Sequence, residues 1–294
     1  MKFLNFGSLN VDKVYTVPHF VREGETLASL EYNEFAGGKG LNQSIALAKA
    51  GTNVFHAGRI GEDGHFLIQT LEQEGINTDN IYTYGLITGH AIIQVNSNGE
   101  NCILLLGGAN KQITTQQIDS VLDKFTSADF LVIQNEINDI EYIINAAHEK
   151  GLTIALNPSP IDDNIKTLDF SKIDYLIFNE IEGKEISGET QQEKILDTLL
   201  SKYSNLKLVL TLGEKGVIYK DTVQKIRQDI FNVNVVDTTA AGDTFLGYFL
   251  SIISRNAPIK EALRIASKAA SIAISRDGAS ISIPDLAEVT EEEA

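Results

Sequence analysis

Short apolar strands alternate with amphipathic helices along most of the chain, and this order restricts the fold more than any other feature. Apolar runs rich in Val, Ile and Leu recur at 3–7, 54–57, 130–134, 153–156, 175–178 and 208–212. Helical periodicity recurs between them, at 40–50, 66–74, 140–149, 180–187 and 192–203. Continuously apolar strands separated by helices indicate a parallel sheet that is covered on both faces. We therefore predict an α/β fold with three layers, α/β/α, around a mostly parallel sheet.

Two segments interrupt this alternation. Residues 11–34 show no clear helix, and residues 90–106 are typical of a β-hairpin with a tight turn at Asn98-Gly99. We predict that the two segments form a small β lid within a single domain spanning 1–294. Ordinary loops and a surface hairpin are the alternative interpretation. The acidic tail from Ala287 is predicted to be frayed or to be a solvated helix end.

Composition excludes several classes of partner and site. The net charge of -16 argues against binding to nucleic acid or to an anionic membrane surface, because both require a basic face. A single cysteine, Cys102, excludes an internal disulfide and a Cys-rich zinc site. Its apolar surroundings in the sequence predict a buried strand thiol. The N-terminus has too short an apolar run for a signal peptide and no segment is long enough for a membrane span, so we expect a cytoplasmic protein.

The strongest indication of a site lies near residue 240. Residues 231–236 alternate like a strand, small residues follow at 238–242, and an apolar helix comes next. A strand, a tight turn and a helix start together present free backbone N–H groups, which bind phosphate. The turn does not have the Walker pattern of a P-loop. Asp243, inside this positive helix end, is either an N-cap or a base that the helix dipole keeps ionised.

A second indication is the run Ala36-Gly37-Gly38-Lys39-Gly40-Leu41-Asn42, which opens a helix. Glycines at such a place allow a ligand to approach the backbone closely. The Lys39 and Asn42 side chains carry groups that hydrogen-bond a polyol. A plain tight turn before a helix would explain the glycines equally well.

These two glycine-bearing segments, in this order and with this separation, resemble the signatures of the ribokinase-like (PfkB) carbohydrate kinase family. The resemblance covers nearly the whole chain, through residues 7–12, 23–26, 37–40, 107–110, 156–160, 179–182, 211–213, 237–243 and 276–279. It implies the three-layer fold with a small β lid. It also implies an enzyme that transfers a phosphoryl group from ATP to a sugar hydroxyl.

The resemblance assigns roles to individual residues on the sugar side. Asp243 corresponds to the catalytic base, and the backbone of Ala240, Ala241 and Gly242 to the anion hole for the γ-phosphate. The expected sugar contacts, together with Asp243, are Asn10, Asp12, Gly38, Lys39, Asn42 and Glu136. Every one of these positions matches and none is an arginine that would suit a phosphorylated sugar. D-Ribose, converted to D-ribose 5-phosphate, is therefore the expected substrate.

The resemblance also implies nucleotide and cation sites. The expected ATP contacts are Asn179, Thr211, Gly213, Gly216, Gly242 and Ser267, the last of these standing where a histidine is often found near the adenine. Glu182, with Asn179, is expected to organise Mg²⁺ through water, although the two residues alone would be interpreted as a helix cap and a first-turn acid. An activating monovalent cation, K⁺, is expected at Asp237, Thr239, Ala273, Arg276, Gly278 and Ser282. The lid is expected to form a homodimer.

Three other functions are the alternatives. A related kinase of the same family would act on deoxyribose, fructose or a nucleoside. A non-catalytic sugar- or nucleotide-binding regulator is disfavoured, because Asp243, Lys39 and the Asn179/Glu182 pair are all intact. A dehydrogenase is disfavoured because no strand is followed by a G-x-G-x-x-G turn that opens a helix.

Overall fold

The computed structural model describes residues 1–85 and 87–291. The strands are β1 (Phe3–Phe6), β2 (Asn10–Thr16), β3 (Glu31–Gly37), β4 (Val54–Ile60), β5 (Asn77–Thr83), β6 (Gly89–Val95), β7 (Asn101–Leu106), β8 (Phe130–Gln134), β9 (Thr153–Asn157), β10 (Tyr175–Asn179), β11 (Lys207–Thr211), β12 (Val217–Lys220) and β13 (Lys225–Gln228).

The α-helices are α1 (Lys39–Lys49), α2 (His65–Gln73), α3 (Thr115–Leu122), α4 (Ile140–Glu149), α5 (Asp163–Lys166), α6 (Glu180–Ser187), α7 (Gln192–Lys202), α8 (Ala241–Ser254), α9 (Ile259–Ile274) and α10 (Leu286–Thr290). Short 3₁₀ turns lie at Glu62–Gly64, Gly108–Lys111, Phe170–Lys172, Gly213–Lys215 and Ser280–Ser282. No helix among the described residues combines the length and the apolar character needed to span a bilayer.

The larger sheet has nine strands in the order β13-β12-β11-β10-β9-β8-β1-β4-β5. Its pairs are parallel from β11 through to β5, and only β12 and β13 are added antiparallel. Neighbouring residues of one strand enter opposite apolar cores, as Phe3 and Leu4 of β1 do. One core packs against α1, α8 and α9, and the other against α3, α4 and α7. The predicted three-layer, mostly parallel fold is confirmed.

Four strands form the smaller sheet, in the order β3-β2-β6-β7. They lie in or beside the two segments predicted to form the lid. β2 pairs with β6 in parallel, while β3 and β7 are added antiparallel at the two edges. The hairpin turn has Gly99 at a φ of 79° and a bond from its N–H to the Asn96 carbonyl at 3.0 Å.

Two local predictions were wrong. Residues 231–236 form no strand, because β13 ends the large sheet and no strand among the described residues pairs with this segment. The N–H of Val236 donates instead to the carbonyl of Ile274 in α9, at 2.8 Å. Cys102 is exposed, because β7 is an edge strand whose other residues are also open to solvent.

The C-terminal segment from Ala287 is a helix end, as one of the two predicted interpretations had it. Asp285 and Glu288 form a capping box at the start of α10, and Val289 is buried. Residues 292–294, which complete the predicted tail, lie outside the described residues.

Candidate active site

A cleft of about 260 Å³ opens at the carboxyl ends of β9, β10 and β11, opposite the first turn of α8. Ligands of parallel α/β sheets bind at this edge. The described residues that line the cleft are Lys39, Asn157, Ser159, Ile177, Phe178, Asn179, Glu182, Thr211, Thr238, Ala240, Ala241, Gly242 and Asp243. Both segments that the sequence singled out therefore meet here, although about 200 residues separate them in the chain.

The turn before α8 has the geometry of an anion cradle. Ala240 is the N-cap and has a left-handed φ of 59°. The N–H of Thr244 donates to the Ala240 carbonyl at 2.8 Å, so the N–H groups of Gly242 and Asp243 belong to the first helical turn, which has no intrahelical acceptor. A side chain at Gly242 would meet no atom within 4 Å, so its backbone is open to a ligand. Such a helix start attracts phosphate.

Asp243 is the third residue of α8, not its N-cap, so the interpretation as a cap is wrong. The carboxylate is buried, with 6% of the residue exposed. Its Oδ1 accepts a hydrogen bond from Gln43 Nε2 at 2.8 Å, and its Oδ2 accepts one from Asn42 Nδ2 at 3.3 Å. Two amide groups at the start of α1 thus hold the carboxylate in a fixed plane.

Lys39 lies between several carboxylates. Burial lowers the pKa of its ammonium, but the charges of Asp243, Glu136 and Glu182 raise it more, and the net pKa lies above the ordinary value. The backbone N–H of Lys39 donates to Glu136 Oε2 at 3.0 Å, and the Ser8 hydroxyl donates to the same oxygen. Lys39 is therefore a permanent positive charge at the boundary between the cleft and the region of Glu136.

The close approach of α1 to the end of β1 depends on a glycine. A Cβ at Gly40 would lie 2.3 Å from the Ser8 nitrogen and 2.5 Å from the Gly7 carbonyl carbon. Backbone atoms cannot move aside as a flexible side chain does. Only a glycine at position 40 therefore lets α1 start where it does, which sets the position of Lys39 and Asn42. A plain tight turn would not need a glycine at this position.

The remaining predicted sugar contacts lie beside Lys39 and Glu136 but are not among the described residues that line the cleft. Asn10 begins β2, and its Oδ1 accepts a bond from Asn110 Nδ2 at 2.8 Å, which leaves its amide donors for another partner. Gly38 precedes α1 with a φ of 97°. A Cβ at this position would lie 3.0 Å from the Asn10 nitrogen, so the start of α1 passes close to β2. Burial, and then the charge of Glu136, raise the pKa of Asp12 to about 7.

The predicted ATP contacts divide into two groups. Asn179 and Thr211 end adjacent parallel strands and line the cleft together with Glu182 and Gly242. Gly213 begins the 3₁₀ turn after β11 and Gly216 follows it, both with positive φ, and Ser267 is half-buried in α9. These last three are not among the described residues that line the cleft.

The predicted monovalent-cation residues lie in the loop before α8, at the end of α9 and in the loop that follows it, and Asp237 joins the two loops. Its Oδ1 accepts bonds from the N–H and hydroxyl of Thr239 at 2.9 and 2.6 Å, and its Oδ2 accepts the Gly278 N–H at 3.3 Å. The Arg276 guanidinium instead pairs with Glu288, and the Ser282 hydroxyl donates to the Ala279 carbonyl at 2.8 Å. The Ala273 carbonyl accepts the Arg276 N–H at 3.1 Å. Arg276 would contribute only its backbone oxygen, because its guanidinium is positively charged.

Sequence reasoning missed several residues of the site. Gln43, which touches Asp243 directly, follows Asn42 in a helix where a polar residue carries no particular signal. The missed residues of the cleft lining are Asn157, Ser159, Ile177, Phe178 and Thr238. Most of them lie on or just after β9 and β10, so the rule that ligands bind at the carboxyl ends of parallel strands would have found them.

Comparisons with known proteins show the family of this chain. The sequence profile described as pfkB family carbohydrate kinase matches residues 2–286. A curated protein named ribokinase from Staphylococcus aureus (strain COL) is 36% identical over 99% of both chains. A protein named deoxyribokinase from Salmonella typhi is 30% identical over 97% of this chain and 96% of its own length.

Among solved structures, Arabidopsis thaliana ribokinase complexed with ribose and ATP is 29% identical to this chain. It superposes with a TM-score of 0.85, covering 98% of this chain and 96% of the other. The family match over nearly the full length and the identity of the relatives confirm the resemblance that the two glycine-bearing segments predicted. This chain belongs to the pfkB family of carbohydrate kinases.

Proposed function

We propose that this carbohydrate kinase transfers the γ-phosphoryl group of ATP to the primary hydroxyl of D-ribose, giving D-ribose 5-phosphate and ADP. The observation that carries the proposal is the buried Asp243 carboxylate, which lies in the same helical turn as a backbone anion cradle and within the field of Lys39. The similar proteins named ribokinase, one of them solved with ribose and ATP, support this substrate pair.

The chemistry follows from the position of these groups. The Asp243 carboxylate accepts the proton of the sugar hydroxyl, whose oxygen forms a bond to the γ-phosphorus. The bond from the γ-phosphorus to its bridging oxygen breaks, and the electron pair leaves with ADP. The free N–H groups of Gly242 and Asp243 and the Lys39 ammonium stabilise the charge on the transferred group, which is the main contribution a protein makes to phosphoryl transfer.

Glu182 and Asn179 fit a role in holding Mg²⁺ through water. Each carboxylate oxygen of Glu182 accepts one hydrogen bond from Asn179, and a carboxylate has about four lone-pair sites, so acceptor capacity remains for water. Mg²⁺ keeps much of its water in such sites, and when bound it would neutralise phosphate charge. The buried position of Glu182 in the cleft lining supports this assignment.

We also propose that K⁺ activates the enzyme at the two loops joined by Asp237. The chemistry of the donors, one carboxylate and several backbone carbonyls, suits a hard monovalent cation. The loop of residues 237–239 leads directly into the anion cradle at 240–242, so ordering this loop would order the phosphate site. The activity should therefore rise with K⁺ through kcat.

The small sheet is proposed to be both the lid over the sugar and the surface of a homodimer. Residues directly opposite each other in the sheet share a face. Asp12 is opposite Phe35 and Ala91, and Ala91 is opposite Leu105. Near Asp12 this face also carries the apolar residues Phe35, Ile103 and Leu105, which are each about half exposed in the single chain, at 48%, 56% and 48%. A second copy would bury this face.

One experiment tests the reaction and the substrate together. ADP release is measured with Mg-ATP and, in turn, D-ribose, 2-deoxyribose, fructose and a nucleoside, with and without K⁺. The proposal requires the largest kcat/KM with ribose. A preference for 2-deoxyribose, the second candidate because of the relative named deoxyribokinase, would keep the chemistry and change the substrate. No sugar-dependent ADP release would indicate a binding protein.

A further inference from the structure

We infer that Gln43 is a positioning residue for the catalytic base, which it holds through the Asp243 carboxylate without touching the substrate. The inference rests on the proposed function, since it assigns a role toward that base. Gln43 lies on α1 and is 1% exposed. Its side chain joins Asp243 to a chain of buried amide groups beneath the cleft.

Both ends of the Gln43 amide are engaged. The Nε2 donates to Asp243 Oδ1 at 2.8 Å and lies 3.5 Å from Asn157 Oδ1. The Oε1 accepts a bond from Gln134 Nε2 at 2.6 Å. Turning the amide over would place its oxygen against the carboxylate and its NH₂ against the Gln134 donor. One orientation of Gln43 is therefore strongly preferred, with its donor toward the base.

Gln134 is itself held in place. It is fully buried, and its Nε2 also donates to Asn5 Oδ1 at 2.9 Å. Asn5 Nδ2 continues the chain to Ser44 Oγ at 2.9 Å, and Ser44 Oγ bonds His56 Nδ1 at 2.8 Å. Burial lowers the pKa of His56 to about 3, so its ring is neutral. Asp243 is thus the only charged member of a rigid chain of neutral polar groups.

The bond from Gln43 fixes the position of the Asp243 carboxylate, on which the rate of proton transfer depends. Without Gln43, the 3.3 Å bond from Asn42 would be the one remaining hydrogen bond to the Asp243 carboxylate from the described residues, and the carboxylate would rotate about its terminal torsion. A base must be within hydrogen-bond reach of the proton that it accepts, and misplacement by about 1 Å costs roughly 10²-fold in rate. We therefore expect Gln43→Met, which keeps the length and most of the volume, to lower kcat about 10- to 100-fold. The KM for ribose and for ATP should stay within a few-fold of wild type.

The test is a double-mutant cycle. Turnover of ribose is measured with γ-labelled ATP for wild type, Gln43→Met, Asp243→Asn and the double variant. A residue that acts through Asp243 has almost no further effect once that carboxylate is gone, so the double variant should match Asp243→Asn within about twofold. An equal loss from Gln43→Met in both backgrounds would show a general structural role and overturn the inference.

Ser44→Ala is the matched control, since it breaks the deeper part of the same chain at the neighbouring position without touching Asp243 or Gln43. Its kcat should stay near wild type while its melting temperature falls. Gln43→Leu replaces Gln43→Met if the latter does not fold. A wild type without sugar-dependent turnover would overturn the proposed function and this role with it, whereas an active wild type and a fully active Gln43→Met would overturn this role alone.

Discussion

Asn179 and Glu182 bind each other through three hydrogen bonds at the mouth of the cleft. The Glu182 N–H donates to Asn179 Oδ1 at 2.9 Å, and the N–H and Nδ2 of Asn179 donate to the two carboxylate oxygens of Glu182 at 3.0 and 2.9 Å. This is a reciprocal capping box at the start of α6. Because both side chains also line the cleft, the structural role and the proposed metal role belong to the same pair.

The two roles can be separated by substitution. Glu182→Gln keeps an acceptor for the Asn179 N–H, so the melting temperature should fall only slightly, but it removes the charge proposed to hold hydrated Mg²⁺. We expect the Mg²⁺ concentration for half-maximal activity to rise at least about fivefold. Glu182→Ala also removes the acceptor of the capping box, so its free energy of unfolding should be about 1 kcal/mol lower than that of Glu182→Gln.

Glu180→Gln is the control for this prediction. It neutralises an acidic residue in the same helical turn that bonds Gln192 at 2.8 Å and is not among the described residues of the cleft lining. Its Mg²⁺ dependence should match wild type. An unchanged Mg²⁺ dependence in Glu182→Gln would leave only the capping role.

Replacement of the proposed base gives the sharpest effect on turnover. Asp243→Asn retains the shape of the side chain and an oxygen for the Gln43 donor, so the protein should fold and bind ribose with similar affinity. Loss of the proton acceptor should lower kcat by about 10²- to 10⁴-fold. Steady-state turnover and ribose binding by calorimetry check the two halves of this prediction. Turnover within tenfold of wild type would contradict the assignment of the base.

The pH dependence of sugar affinity should follow Asp12. Burial and the charge of Glu136 raise the pKa of Asp12 to about 7, so its carboxylate ionises only as the pH rises through that value. An ionised Asp12 accepts sugar hydroxyls better than a protonated one, and the KM for ribose should fall between pH 6 and 8. The KM of Asp12→Asn should be higher and nearly independent of pH. A KM profile in that variant that still falls through pH 7 would assign the titration to another group.

The raised pKa of Asp12 also makes the free energy of unfolding depend on pH. In the folded state Asp12 keeps its proton up to about pH 7, whereas in the unfolded chain it loses it near pH 3.8. The folded state therefore binds more protons between these values, and the contribution of Asp12 to the free energy of unfolding falls as the pH rises across this window. Asp12→Asn should remove that part of the slope in thermal unfolding measured from pH 4 to 7.

The layers of the fold were predictable from sequence for a physical reason. A strand buried on both faces has no polar alternation, so β8 is apolar from Phe130 to Ile133 and its position follows from composition alone. Residues 231–236 show that local patterning is not sufficient for a strand. Apolar and polar residues alternate there as in a strand. A strand forms only where a second strand pairs with it, and the topology of the whole sheet decides whether such a partner is present.

The site was predictable only in part. Backbone features such as the turn at 240–242 are local, and the small residues that they require are visible in the sequence. The partners of Asp243 are not local, since Gln43 lies 200 positions away, and an amide in a helix has many possible uses. The three-dimensional structure excludes the cap, because Ala240 is the N-cap of α8. The role of Asp243 as the base is our proposal, and residue type alone does not lead to it.

The apolar face of the small sheet gives a prediction about assembly. Ile103 is opposite Ile93 and shares its face with Leu105, on the same side as Asp12, whereas the adjacent Leu104 points to the other face. Ile103→Glu should place a charge in the proposed dimer interface and convert the protein to a monomer, measured by size-exclusion chromatography with light scattering. Leu104→Glu is the matched control. It is more exposed in the single chain, at 68%, and should leave the dimer intact.

Assembly and sugar affinity should be coupled, because the same face carries Asp12. Separation of the two copies removes the apolar cover of β7 and loosens the sheet that holds this carboxylate over the sugar. The KM for ribose should therefore rise in Ile103→Glu, with the KM for ATP nearly unchanged, and neither should change in Leu104→Glu. A monomeric wild type, or a dimeric Ile103→Glu with wild-type kinetics, would place the interface elsewhere.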